Sequence, residues 1–193
     1  EDCRRQRQMC IRDRIWDMRY PGYKEFEGMV FYSSPNKGPK AIPGEYLTSL
    51  NYNSEVIEQS LKIEKDPRLE NTDKDYRDQF DFLINVRNQV TRANSAIIKI
   101  REVQKDLNYL KQKSGLTEEI NNLINQFEIK LSHIENNIHM TKNQSRQDPL
   151  NYGIRINNRI AFLLADSQRG DYPPTNQAKA CLLYTSPSPR DKS

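Results

Sequence analysis

The stretch FLINVRNQVTRANSAIIKIREVQKDLNYL, Phe82 to Leu110, decides the fold. Leu83, Val86, Val90, Ala93, Ile97, Ile100, Val103, Leu107 and Leu110 recur at spacings of three and four, along one face of an α-helix. Thr72 stands ahead of this run with Asp75 three residues on, a variant of the capping box. One helix is therefore expected from about Thr72 to about Lys113, roughly 60 Å long at 1.5 Å per residue. Ser114-Gly115 breaks it. Thr117 then caps a second helix, with Glu118 and Glu119 placed well against its dipole. Its stripe is Ile120, Leu123, Ile124, Phe127, Leu131, Ile134 and Ile138. A short Gly turn between two long helices predicts an antiparallel helical hairpin.

Downstream, Asp148-Pro149-Leu150 opens a third helix, with Asp as cap and Pro in the first turn. Ile156, Ile160, Leu163 and Leu164 carry it to about Asp166. Asp171-Tyr-Pro-Pro-Thr175 leads into a fourth helix whose first turn is Gln177 to Ala180. Upstream the period falls to two. Ile57, Gln59, Leu61 and Ile63 alternate to one face, and the runs Glu45–Asn51 and Glu55–Glu64 flank Asn51-Tyr52-Asn53-Ser54. That is a hairpin with a polar turn. Gly28 to Tyr32 is expected as a further short strand. Ser33 to Gly44, with three prolines and two glycines, is loop. Two or three strands are marginal alone, so they are expected to be the last strands of a sandwich. The expected class is α+β: the end of a β-sandwich (15–65), then an incomplete antiparallel helical bundle with two long helices (66–180), lacking its last helix.

The two ends of the chain read differently. Met9 to Arg14 can be coded ATG TGT ATA AGA GAC AG, and Cys181 to Ser186 TGT CTC TTA TAC ACA TCT. These strings are reverse complements over nearly their whole length and resemble the end of a transposase-type sequencing adaptor. Residues 1–14 and 181–193 are therefore expected to be adaptor-derived and not native, and to add nothing to stability. They hold seven of the 30 Lys and Arg and four of the 26 Asp and Glu. That leaves 23 basic and 22 acidic residues, so the net charge of +4 falls to +1. The apparent basicity, which would suggest nucleic acid, lies mostly in the ends, and no nucleic-acid partner is expected. All three cysteines lie there too: Cys3, Cys10 and Cys181. Nothing between them can form a disulfide or a thiolate metal site. No run approaches 18 apolar residues, so no membrane span is expected.

No catalytic, cofactor-binding or metal-binding residue is assigned. His133 and His139 lie six apart, about 240° round the second helix, and read as solvated or rim side chains. Asp73, Asp75, Asp78 and Asp81 read as dipole compensation. There is no Gly-rich phosphate loop, no GxSxG and no HExxH. Asn143-Gln144-Ser145 matches a glycosylation triplet that arises often by chance. Two polar stretches are singled out. Asn157, three before Ile160 in an apolar helix, is expected to face inward and fix register or bond a neighbouring backbone, with a ligand role as the alternative. Asp66, Pro67 and Arg68 join sheet to bundle. Asp66 is expected to bond nearby backbone, Pro67 to fix the turn, and Arg68 to pair with a carboxylate across the joint.

The segments WDMRYPGYKEFEGMVFYSSPNKGPKAIPGEYLTSL, KDPRLENTDKDYRDQFDFLINVRNQVTRANSAI and QDPLNYGIRINNRIAFLLADSQRGDYPPTNQA carry a resemblance. In that order they resemble the C-terminal region of bacterial sialidase-repeat, sortilin-like β-propeller proteins labelled glycosyl hydrolase. The resemblance covers nearly all of residues 15–180. It implies a preceding propeller, a small sandwich, a D-P-R junction and a helical bundle. It also implies export to the periplasm or beyond, with carbohydrate reached through the parent protein. No S-x-D-x-G-x-T-W repeat box is present, so the implied role is a non-catalytic accessory region partnered by the propeller of its own chain. The alternatives are a substrate-holding part of a true glycoside hydrolase and a helical protein-interaction module. Tyr20, Tyr23, Phe26, Phe31, Tyr32 and Tyr46 supply aromatics near the sandwich.

Overall fold

The computed structural model describes residues 15–113 and 116–185. The fold is α+β. Two strands, β1 (Gly44–Tyr52) and β2 (Glu55–Ile63), form an antiparallel sheet. Among the described residues five helices come after them: α1 (Asp73–Lys111), α2 (Glu118–Ile138), α3 (Pro149–Tyr152), α4 (Ile156–Asp166) and α5 (Asn176–Thr185). In the hairpin Tyr52 pairs with Glu55, so the turn is Asn53-Ser54 alone. Both turn residues have positive φ, 47° and 68°, as a type I′ turn requires.

Helix α1 runs 39 residues. The Thr72 side chain accepts from the Asp75 N–H, and the Asp75 carboxylate accepts from the Thr72 N–H, closing the capping box. Thr117 caps α2 by accepting from the Ile120 N–H. The helices run antiparallel: Arg101 of α1 bonds Glu135 of α2, and Lys111 bonds Glu128. The expected break at Ser114-Gly115 lies outside the described residues, as do residues 1–14 and 186–193.

The core lies at the first half of α1. Phe82, Leu83, Val86 and Val90 pack with Ile160, Ala161 and Leu164 of α4, Leu182 of α5, and Tyr23 and Phe31 of the N-terminal segment. That segment, residues 15–43, is irregular and belongs with the helices. The hairpin shares no such core and is exposed along nearly its whole length.

Five expectations are corrected. Gly28 to Tyr32 forms no strand. The chain turns at Gly28 (φ 76°) and at Ser33 (φ 49°), which sends Phe31 into the core. The third helix is two helices, because Gly153 (φ 80°) ends the single turn α3. The Asp148 carboxylate accepts from the Gln144 and Ser145 N–H groups behind it instead of capping α3. The stripe of α2 is not the buried face. Ile124 is buried, but Leu123 is 54% and Phe127 58% exposed. The far half of α1 presents Arg101 and Lys111 to α2, so Glu135 and Glu128 turn inward to meet them, while Ser132 accepts from Gln104 at the solvent edge. The apolar row is thereby rotated outward, and Val103 and Leu110 of α1 are exposed as well.

Lastly, α5 does not stop at Ala180. It continues to Thr185, and Leu182 is 7% exposed within the core. Leu182 therefore contributes packing, against the expectation that residues 181–193 add nothing to stability.

Ile97 is fully buried, so Ile97→Ala should cost about 2–5 kcal/mol in chemical denaturation. Leu123→Ala should cost under about 0.5 kcal/mol. Leu182→Ala should cost about 2 kcal/mol, and ending the chain at Ala180 should lower its melting temperature. Equal effects at Ile97 and Leu123 would refute the assigned faces.

Candidate functional site

Two places carry concentrated polar chemistry. The first is inside the fold. Asn94 of α1 and Asn157 of α4 are both fully buried, and His139, at the C-cap of α2, is 2% exposed. Asn157 Oδ1 accepts from the Asn158 N–H at 2.8 Å. Its amide nitrogen then faces Asn94 Oδ1 at 3.2 Å and His139 Nδ1 at 3.3 Å. With a donor pointing at it, Nδ1 carries the lone pair and the ring proton sits on Nε2. Asn94 Nδ2 donates to the Lys24 carbonyl at 2.7 Å. Asn158 accepts from the Tyr32 N–H at 2.9 Å and donates to the Tyr32 carbonyl at 3.1 Å. The Tyr23 hydroxyl donates to the Ser34 carbonyl, and burial pushes its phenol well above the ordinary range. The ring of His139 meets Phe26 edge-on at 4.9 Å, and the Arg101 guanidinium lies over the Phe26 ring, 4.9 Å from its centroid.

Asn157 thus faces inward and fixes α4 against α1 and α2. Its partners Asn94 and His139 were not expected there. Asn94 stands four after Val90 and three before Ile97, a core position that the apolar pattern assigns to Ala93. The polar side chain within the stripe was the available signal. His139 is corrected from rim to core. It ends α2 with extended backbone (φ −133°), which swings the ring under the helix instead of leaving it on the solvent face.

The second place is a cleft of about 310 Å³ where the hairpin base meets the bundle. Tyr76, Phe80 and Leu83 of α1 floor it, and Asp66 lies on its edge. Asp66 and Arg68 pair with each other. Arg68 Nε donates to Oδ1 at 2.9 Å and Nη2 to Oδ2 at 2.6 Å, while the Arg68 N–H also bonds Oδ1. The fork closes within the turn that Pro67 makes, so Arg68 does not reach a carboxylate across the joint. Its side chain is 86% exposed. The Arg68 guanidinium holds the Asp66 carboxyl below its usual value. The other carboxylates at the cleft also have partners: Asp171 with Lys40 at 3.3 Å, Glu64 with Lys62 at 3.0 Å, and Asp17 with the Arg19 N–H. Among the described residues no three His, Cys, Asp or Glu side chains converge as metal ligands, and no helix is long and apolar enough to cross a membrane.

Comparison of the chain with known protein families, curated proteins and solved structures gave no match.

The buried ring predicts acid sensitivity. Burial lowers the His139 pKa, and Arg101 lowers it further. Protonation would also place an N–H against the Asn157 amide donor. Unfolding restores the ordinary value near 6.5. The unfolded chain therefore binds the proton first, and stability falls as pH drops below about 6.5. Urea midpoints measured from pH 8 to 5 should show this loss, and His139→Gln should flatten it. An unchanged slope in the variant would refute the role.

Proposed function

We propose that this chain is a non-catalytic accessory region of an exported protein of the sialidase-repeat β-propeller kind that its sequence resembles. Its hairpin seats the rest of that protein. One observation carries the reading. Tyr46, Leu50 and Tyr52 of β1 share a face with Leu61 and Ile57 of β2, and Leu50, Tyr52 and Ile57 are 59–69% exposed. A two-stranded sheet is marginal alone, and an exposed apolar patch marks a surface meant to be covered. The engaged carboxylates support the non-catalytic part. Retaining glycosidases need two carboxyl groups about 5–5.5 Å apart and inverting ones about 6.5–9.5 Å, free to face the sugar. Periplasmic or secreted location and contact with carbohydrate through the parent come with this proposal. The outward row Leu123, Phe127 and Ile134 on α2 favours, as a second reading, a helical module that binds another protein.

Purified chain should turn over none of a panel of aryl glycosides and should bind a hydrophobic dye. Replacing Leu50 and Ile57 together by Lys should abolish most dye binding while leaving the helical melt unchanged. Turnover that survives rigorous purification, or dye binding that the double variant leaves intact, would overturn the proposal.

A further inference from the structure

The hairpin has two edges, and they are not alike. Tyr52 and Glu55 flank a two-residue turn and form a bonded pair, so in β2 Glu55, Ile57, Gln59, Leu61 and Ile63 bond inward to β1. Val56, Glu58, Ser60 and Lys62 therefore aim their N–H and C=O groups outward, and β2 is exposed from Glu55 to Lys62. On β1 the outward positions are Glu45, Leu47, Ser49 and Asn51. The base of β1 is already approached by Trp16, Arg19 and Tyr20, which share a groove with Tyr46, Leu47 and Thr48.

The charges of β2 are laid out about Ser60. Glu58 stands two before it and Lys62 two after it. Glu55 stands five before it, and Lys65, just past the strand, five after it. Two β2 strands paired antiparallel about a twofold axis at Ser60 set each residue opposite the one equally far beyond Ser60. Glu58 then faces Lys62 of the second copy, and Lys62 faces its Glu58. Ile57 meets Ile63 on the apolar face. The bonding phase agrees: Glu58, Ser60 and Lys62 all carry outward groups, so each of these opposed pairs exchanges both bonds. Other registers do worse. An axis at Glu58 or at Lys62 opposes like charges, and one at Gln59 or Leu61 sets Glu58 or Lys62 against Ser60. The Lys62–Glu64 pair at 3.0 Å is exposed on both sides and holds Lys62 weakly. The edge of β1 offers nothing comparable, since Glu45 is its one charged residue.

We infer that β2 pairs antiparallel with β2 of a second copy of this chain, in the register centred on Ser60. The two hairpins become one four-stranded sheet, where two strands are marginal alone. A lysine on an open edge ordinarily guards against pairing. Opposite Glu58, Lys62 instead selects one partner in one register. The twofold axis stands perpendicular to the sheet, so Ile57 and Leu61 of both copies lie on one side. The pairing uses the edge and leaves the apolar face to the seat proposed above.

Sedimentation equilibrium and amide hydrogen exchange test this on the chain at concentrations up to about 1 mM, since edge contacts this small are weak. The mean mass should rise toward that of two chains. The Glu58, Ser60 and Lys62 amides should slow by at least about tenfold as it does, while Leu47, Ser49 and Asn51 stay free. Glu58→Lys and Lys62→Glu should each be monomeric alone, because each sets like charges opposite one another twice. Mixed, they should associate, because every opposed pair then joins a lysine to a glutamate. Protection of Ile57 and Gln59 shows whether the hairpin of each variant is intact. If a charge variant loses it, Ser60→Pro decides: it removes an outward donor without touching a bond to β1, and should give monomers. A chain that binds dye yet stays monomeric at about 1 mM would refute the pairing and spare the seat. So would a mixture of intact charge variants that does not associate, or association that survives Ser60→Pro. Protection that rises with concentration at Leu47 and Ser49 in place of Ser60 would put the second copy on β1 and overturn the assigned edge.

Discussion

Side-chain amides acting in place of a β-ladder hold this molecule together. Residues 15–43 have little regular structure, yet they lie against helices, where an unpaired peptide group costs about 1–3 kcal/mol. Asn158 offers Tyr32 one acceptor and one donor, as a neighbouring strand would. Asn36 does the same for Tyr23. Asn94 takes the Lys24 carbonyl, Gln79 the carbonyls of Ser167 and Gly170, and Gln168 that of Lys37. Asp at these places would have no donor and Leu neither group. The requirement is for both at one short tip. Gly38 serves the same docking: a Cβ there would fall 1.8 Å from the Tyr20 carbonyl oxygen.

Helix α1 packs against both α2 and α4, and its two halves live differently. The first half is enclosed by the N-terminal segment, α4 and α5. The second meets α2 through ion pairs, with Glu135 nearly buried beneath Arg101 and Lys111 beside Glu128. Such pairs contribute less than apolar packing once desolvation is counted. Cooperative stability is concentrated near Val86 and Val90, and the far end of the α1–α2 hairpin opens more readily.

Much of this was legible in the sequence and some was not, for identifiable reasons. The long period from Leu83 and the caps Thr72 and Thr117 placed both long helices, because capping and periodicity are local. The hairpin was legible from alternation in β2. The burial of α2 was not, since a stripe says which residues share a face and not what the facing helix offers. Only the positions of Arg101 and Lys111 on α1 decide that. Gly28 to Tyr32 looked like a strand because its composition is apolar, while its partner is a side chain 126 residues away, Asn158. Asn157 was legible from its place between apolar neighbours. Asn94 and His139 were not, since their roles exist only once three helices meet.

Leu182 carries a lesson about how a core admits a side chain. Helix α5 lies exposed over most of its last turn, yet it carries one leucine into the core that holds Leu164 and Val86. Its neighbour Leu183, one step round the helix, is 76% exposed. A core asks an arriving side chain for apolar volume at the right helical phase and little else, so identical residues side by side live in opposite surroundings.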